Sequence, residues 1–248
     1  MKKEFQLGAL RHKKPLSLID DNPSNDRDVD RFFLIMALMF NDIKGLVFFD
    51  NWLHEYREPQ KEEISGHAGE WHGIKLQRIK LLAAILSEFL NVLEEYKNII
   101  NTDPINRYEQ QLSRQDKSIW DLFLEVTKIH PTKLSDERIE VFKKMLIQIR
   151  ANVTFHYYGA GKPLANGFRD HFYKKFVNQP AYYSAQGTNF YKTRYYYADA
   201  AIQSYLESCM TMAGEADKVL ETITDLTVKA SKVINGLMEQ YLKEKLQV

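Results

Sequence analysis

Apolar residues recur every three or four positions along most of the chain, the spacing of helices that each bury one face. Phe33, Met36, Phe40, Ile43, Val47 and Leu53 form the first such run; Ser24, Asn25 and Asp26 supply caps before it, and the pattern predicts a long helix ending near Tyr56. After a turn over 59–69, Ile79, Leu82, Ala83, Leu86, Leu90 and Leu93 predict a second, which Thr102, Asp103 and Pro104 end. Shorter helices fit 104–114 and 117–129, the latter carrying Ile119, Trp120, Phe123, Leu124 and Val126 before the break at Pro131. Ser135, Asp136 and Glu137 place a cap and two negative charges at a helix start. From there Ile139, Phe142, Leu146, Ile149 and Val153 carry a helix to about Phe155, and a further step of three lands on His156. Between Gly159 and Gly187 the texture turns to Gly, Pro, Asn and aromatic residues, with one short helix around 168–176. Helical spacing resumes over 189–212 and again over 215–246. Strand-like alternation is missing. The expected fold is therefore all-α: an antiparallel helical bundle with a long aromatic-rich loop insertion before the closing helices, residues 1–27 an irregular arm and 28–248 a single α-helical domain.

Composition narrows the function classes. With 248 residues, 44% hydrophobic and 27% charged, the chain matches ordinary globular proteins, and a net charge of +1 lacks the global positive field of a dedicated nucleic-acid binder. Any RNA contact must come from a local patch. A single cysteine, Cys209, excludes an intramolecular disulfide and a cysteine-rich zinc site. The N-terminus lacks the apolar core of a secretory signal, and the most apolar run, Phe32 to Phe40, is far shorter than the roughly twenty residues that cross a bilayer. It is expected to be a buried helix in a cytoplasmic protein without a membrane partner.

The candidate chemistry lies in Arg150-Ala151-Asn152-Val153-Thr154-Phe155-His156, followed by Tyr157 and Tyr158. Arg150 is a permanent cation that can hold a phosphate, and His156 titrates near neutral pH. On a regular helix, positions six apart diverge by about 120°. Asn152 and His156, four apart, would share a face, as would Arg150 and Thr154. Two copies of such a helix about a two-fold axis would gather both arginines and both histidines around one phosphodiester. The structural alternatives are a core-edge histidine bonded to a carbonyl and an arginine paired with Glu140 or another carboxylate.

An arginine, five residues and a histidine, late in a helical bundle and followed by a loop and a closing helix, resembles the HEPN superfamily. Many members carry a polar residue directly after the arginine, where this chain has Ala151 and then Asn152. The resemblance implies a metal-independent ribonuclease of a prokaryotic defence or toxin system, without cofactor. Arg150 and His156 would be catalytic, with Asn152, Thr154 and Tyr157 in support. It also implies a homodimer, and an antitoxin or other protein as partner. A rim of Arg169, Lys174, Lys175, Tyr191, Lys192, Arg194 and Tyr195 interleaves aromatic and cationic groups, as single-stranded RNA binding requires, although tyrosines also pack at helix interfaces. The rival class is a non-catalytic helical module that binds a protein or RNA. His67, Glu70 and His72 match no familiar zinc motif, and Glu70 is expected to favour a helix N-terminus through the dipole.

Overall fold

The computed structural model describes residues 27–55, 58–60, 65–131, 136–154, 159–177, 183–184 and 193–246. These residues form an all-α bundle with no strand among them. Its helices are α1 (Asp28–Glu55), α2 (Gly66–Glu95), α3 (Lys97–Ile100), α4 (Asp103–Gln110), α5 (Arg114–Val126), α6 (Asp136–Ile149), α7 (Gly161–Arg169), α8 (Tyr196–Ala213) and α9 (Ala216–Leu246). Two π-helical turns, Arg150–Thr154 and Asp170–Lys175, extend α6 and α7. The caps expected at 24–26 and at Ser135 lie outside the described residues.

Helix α2 runs through the middle and touches α1, α6, α8 and α9. Its periodic residues Ile79, Leu82, Ala83, Leu86, Leu90 and Leu93 are all buried, as are those of α5, and they join Val219, Ile223, Val233 and Leu237 of α9 in one contiguous core. The helix starts inside the expected turn because the Ser65 hydroxyl accepts a hydrogen bond from the Ala68 amide, 3.1 Å away. Ser113 caps α5 in the same way, through the Asp116 amide. Pro104 sits in the first turn of α4, where its missing N–H costs nothing.

Two expectations need correction. The aromatic-rich insertion is not an elaborated loop at its start: residues 161–175 are helical and pack on α8. Gly167 permits that approach, since a Cβ there would stand 2.1 Å from the Ala201 carbonyl oxygen. The second correction concerns α1. Phe32, Phe33, Met36, Met39 and Ile43 are buried, but Leu34 and Leu38 within the same run are exposed, and so is Val47 of the expected stripe. Twenty-two residues, Asp28–Phe49, are also long and apolar enough to cross a membrane by length and composition, with 28% of the span buried. The helix is therefore buried on one face and apolar on two.

A polar clasp joins the ends of the chain's described part. Asp30 of α1 accepts hydrogen bonds from Arg27 (Nε and a terminal nitrogen, both 2.9 Å) and from the Tyr241 hydroxyl of α9 at 2.8 Å. Lys245 adds an ion pair at 2.9 Å. The Tyr241 ring stacks on Phe33 at 4.1 Å. Burial alone would raise the Asp30 carboxyl, but the bonds from Arg27, Lys245 and Tyr241 outweigh it and hold its pKa at about 2.

Candidate functional site

The stripe that drives α6 into the core is the one the spacing predicts: Ile139, Leu146, Ile149 and Val153 are buried, with Met145 beside them and Phe142 half-buried. Regular geometry stops at Ile149. From Arg150 the helix widens into a π turn, and the Thr154 hydroxyl donates to the Ile149 carbonyl five residues back, at 3.1 Å. It also lies 3.4 Å from the Lys80 carbonyl of α2. Thr154 is thus buried against backbone rather than displayed beside Arg150. Arguments from 3.6 residues per turn, including the shared face of positions 152 and 156, lose their basis here. His156 and Tyr157 lie outside the described residues.

Arg150 is half-buried, and its Nε forms an ion pair with Glu88 of α2. The facing atoms, Arg150 Nε and Glu88 Oε1, are both enclosed and lack a hydrogen-bond partner of good geometry, so they meet as charges rather than as an aligned N–H and oxygen. Glu140, the carboxylate named from sequence, pairs with Lys128 instead. Asn152 donates its amide to the Tyr205 hydroxyl of α8 at 2.8 Å. Burial and Cys209 push the Tyr205 phenol up to about 12, although Asn152 acts the other way, and burial raises the Cys209 thiol too. Behind the π turn, burial lowers the Lys80 ammonium, opposed by Asp199.

The candidate RNA rim divides into cations tied to the fold and exposed rings. Arg194 bridges two carboxylates, Asp199 of α8 and Glu70 of α2, each at 2.8 Å. Its guanidinium lies where a Cβ at position 73 would stand, so Gly73 opens the seat. Glu70 therefore serves Arg194 rather than the start of α2. Lys175 pairs with Glu207, Lys174 with Asp170 at 2.5 Å, and Arg169 donates to the Asn166 side-chain amide oxygen at 3.0 Å. Tyr195 is exposed and meets the edge of Tyr197. Tyr191 and Lys192 lie outside the described residues. Exposed ion pairs of this kind are worth about 0–1 kcal/mol and exchange readily, whereas the Arg194 side chain is mostly enclosed and meets two carboxylates.

Several participants had no mark in the sequence. Glu88 and Arg150 are far apart in the chain, and Glu88 is a polar residue in an apolar stretch, a weak cue at most. Each π turn presents a polar side chain to α8: Asn152 to Tyr205, and His171 Nδ1 to the Ser204 hydroxyl at 3.3 Å. Burial, chiefly, lowers the His171 imidazole. No group of three His, Cys, Asp or Glu residues placed to hold a metal occurs among the described residues. Compared with family models, curated proteins and solved structures, the chain matches none of them.

Proposed function

We propose that the chain is a metal-independent RNA-cleaving protein of the HEPN type, acting as a cytoplasmic homodimer in a prokaryotic defence or toxin system. One observation supports this most: Arg150 is anchored through Nε by Glu88 while a third of its side chain remains exposed, at a helix end distorted into a π turn. A guanidinium paired with one carboxylate and partly open to solvent can also meet a phosphate, and π turns inside α-helices occur frequently at functional sites.

In the proposed reaction His156 accepts the proton of an RNA 2′-hydroxyl as that oxygen bonds to the adjacent phosphorus. The bond from phosphorus to the 5′-oxygen breaks, and that oxygen takes a proton from the imidazolium. The products are a 2′,3′-cyclic phosphate and a 5′-hydroxyl. Arg150 offsets the charge that grows on the phosphoryl oxygens. The test is incubation of purified protein with mixed RNA in chelator. Cleavage is expected to fall at least about 100-fold in both Arg150→Ala and His156→Ala. Cleavage that survives either substitution, or that chelator abolishes, rejects the mechanism.

A second reading has its own support. Arg150, Asn152, Thr154 and Arg194 each have a partner within the fold. A non-catalytic helical module that binds a protein such as an antitoxin, or binds RNA without cutting it, would need no more. In that case Arg150→Ala lowers thermal stability and RNA stays intact with wild type and variant alike.

A further inference from the structure

A cleft of about 310 Å³ opens where α2, α8 and the start of α9 meet. Its floor is apolar: Leu76 and Ile79 of α2, Leu206 and Met210 of α8, and Leu220 of α9. Ile79, Leu206 and Met210 belong to the buried core, so the packing of the bundle holds the floor in shape. The turn from α8 into α9 fixes one end. Gly214 stands there at φ 152° and ψ −159°, a conformation essentially confined to glycine, and two residues later Ala216 and Asp217 line the cleft. The volume lies at the small end of the roughly 300–1,000 Å³ range of ligand pockets, for which the space between helices of a bundle is a common place.

Two charges on the rim have no ion-pair partner among the described residues: Lys75 on the α2 wall and Asp217 on the α9 wall. The Lys75 ammonium rests 4.7 Å from the centroid of the Trp71 ring, which holds it in place and leaves its N–H groups for an anion. Asp217 stands in the first turn of α9, where the helix dipole favours its carboxylate charge. The other polar rim groups differ from these two. Glu207 pairs with Lys175 and accepts from the Gln203 amide at 2.9 Å. Burial first, and Lys75 second, lower the His72 imidazole against the opposing pull of Glu58, so at neutral pH His72 offers a hydrogen bond rather than a charge.

We propose that this cleft binds a free apolar α-amino acid, its carboxylate on Lys75 and His72, its ammonium on Asp217 and its side chain on the floor. Both charges of the rim select a zwitterion. A fatty acid would set its carboxylate beside Asp217 without a compensating cation, and an apolar amine would do the same to Lys75. A wholly apolar molecule would strip water from both charges and return nothing. The residues involved are not those of the Arg150 pair: Ile79 lies nine residues, about 13 Å, before Glu88 along α2. Binding here is therefore independent of RNA cleavage.

Calorimetric titration of the full chain with leucine, methionine and phenylalanine tests the site. At least one is expected to bind with a Kd below about 1 mM, the range open to a ligand of about ten heavy atoms. N-acetyl-leucine lacks the ammonium, leucinamide the carboxylate and serine the apolar body, and each should bind at least about tenfold more weakly. Lys75→Met and Asp217→Asn should each cost at least about tenfold in affinity. Gln203→Trp, at an exposed position on the rim, should block binding while circular dichroism keeps the helical signal. Arg150→Ala should bind as wild type does. The proposal is overturned if none of the three amino acids binds at about 10 mM, or if N-acetyl-leucine or leucinamide binds as tightly as leucine. Affinity unchanged in Lys75→Met or in Asp217→Asn overturns it as well.

Discussion

Asp30 and Arg150 are both charges set into the side of the same bundle, and their surroundings satisfy them in opposite ways. Around Asp30, one carboxylate collects Arg27, Tyr241 and Lys245, and nothing polar is left over. At Arg150, one guanidinium meets one carboxylate, and the facing nitrogen and oxygen are enclosed without an aligned hydrogen bond. A saturated, buried cluster rigidifies a fold; a single ion pair whose side chains are each a third or more exposed does less to secure it. The contrast separates a clasp that secures the α1 to α9 contact from a single, partly open pair at the α6 to α2 contact, where the proposed site lies.

Three substitutions or titrations sharpen that contrast. The largest effect is expected at the clasp. Asp30→Ala leaves Tyr241 and Lys245 without their shared acceptor and should lower unfolding free energy by about 3 kcal/mol, measured by urea denaturation, with RNA cleavage per folded molecule unchanged. If cleavage falls in proportion to the binding site and stability does not, the division of labour is wrong. Next comes acid. The Asp30 carboxyl is held below its ordinary value of 3.8, at about 2, so its contribution is fully present above pH 4 and is lost as pH falls through the folded value. About 2 kcal/mol should disappear over that window, and Asp30→Asn should flatten the decline. The smallest effect is expected at Glu88→Gln. An ion pair without hydrogen-bond alignment and partly open to solvent should cost less than about 1 kcal/mol of stability, while the affinity of Arg150 for a phosphodiester analogue changes measurably. A stability loss equal to that of Asp30→Ala would place Arg150 among the structural charges.

The helices were legible where one apolar stripe faces one core. Ile79 through Leu93 and Val219 through Tyr241 carry a single rhythm, and burial follows it. Helix α1 carries two stripes, and spacing alone does not say which turns inward; Phe32, Met36 and Ile43 are chosen by the fit of α2 and α9, not by local sequence. The π turn at 150–154 was illegible for a related reason. It depends on the Thr154 hydroxyl reaching both Ile149 and Lys80, the latter on another helix. Arg150 itself stood out as a permanent cation at a helix end, but Glu88, its partner, shares no local pattern with it. The same holds for Arg194, which its aromatic and cationic neighbours placed in an RNA-binding rim while Glu70 and Asp199 hold it inside the fold. Charge is visible in a sequence; what neutralises it is a property of tertiary structure.

Glu70 and Glu88 ride on one uninterrupted helix, 18 residues or about 27 Å apart. The two arginines they hold are thereby fastened to opposite stretches of a single stiff rod. The π turn after α6 and the start of α8 thus share one support, and a break in α2 between Glu70 and Glu88 would unfasten the placement of one from the other.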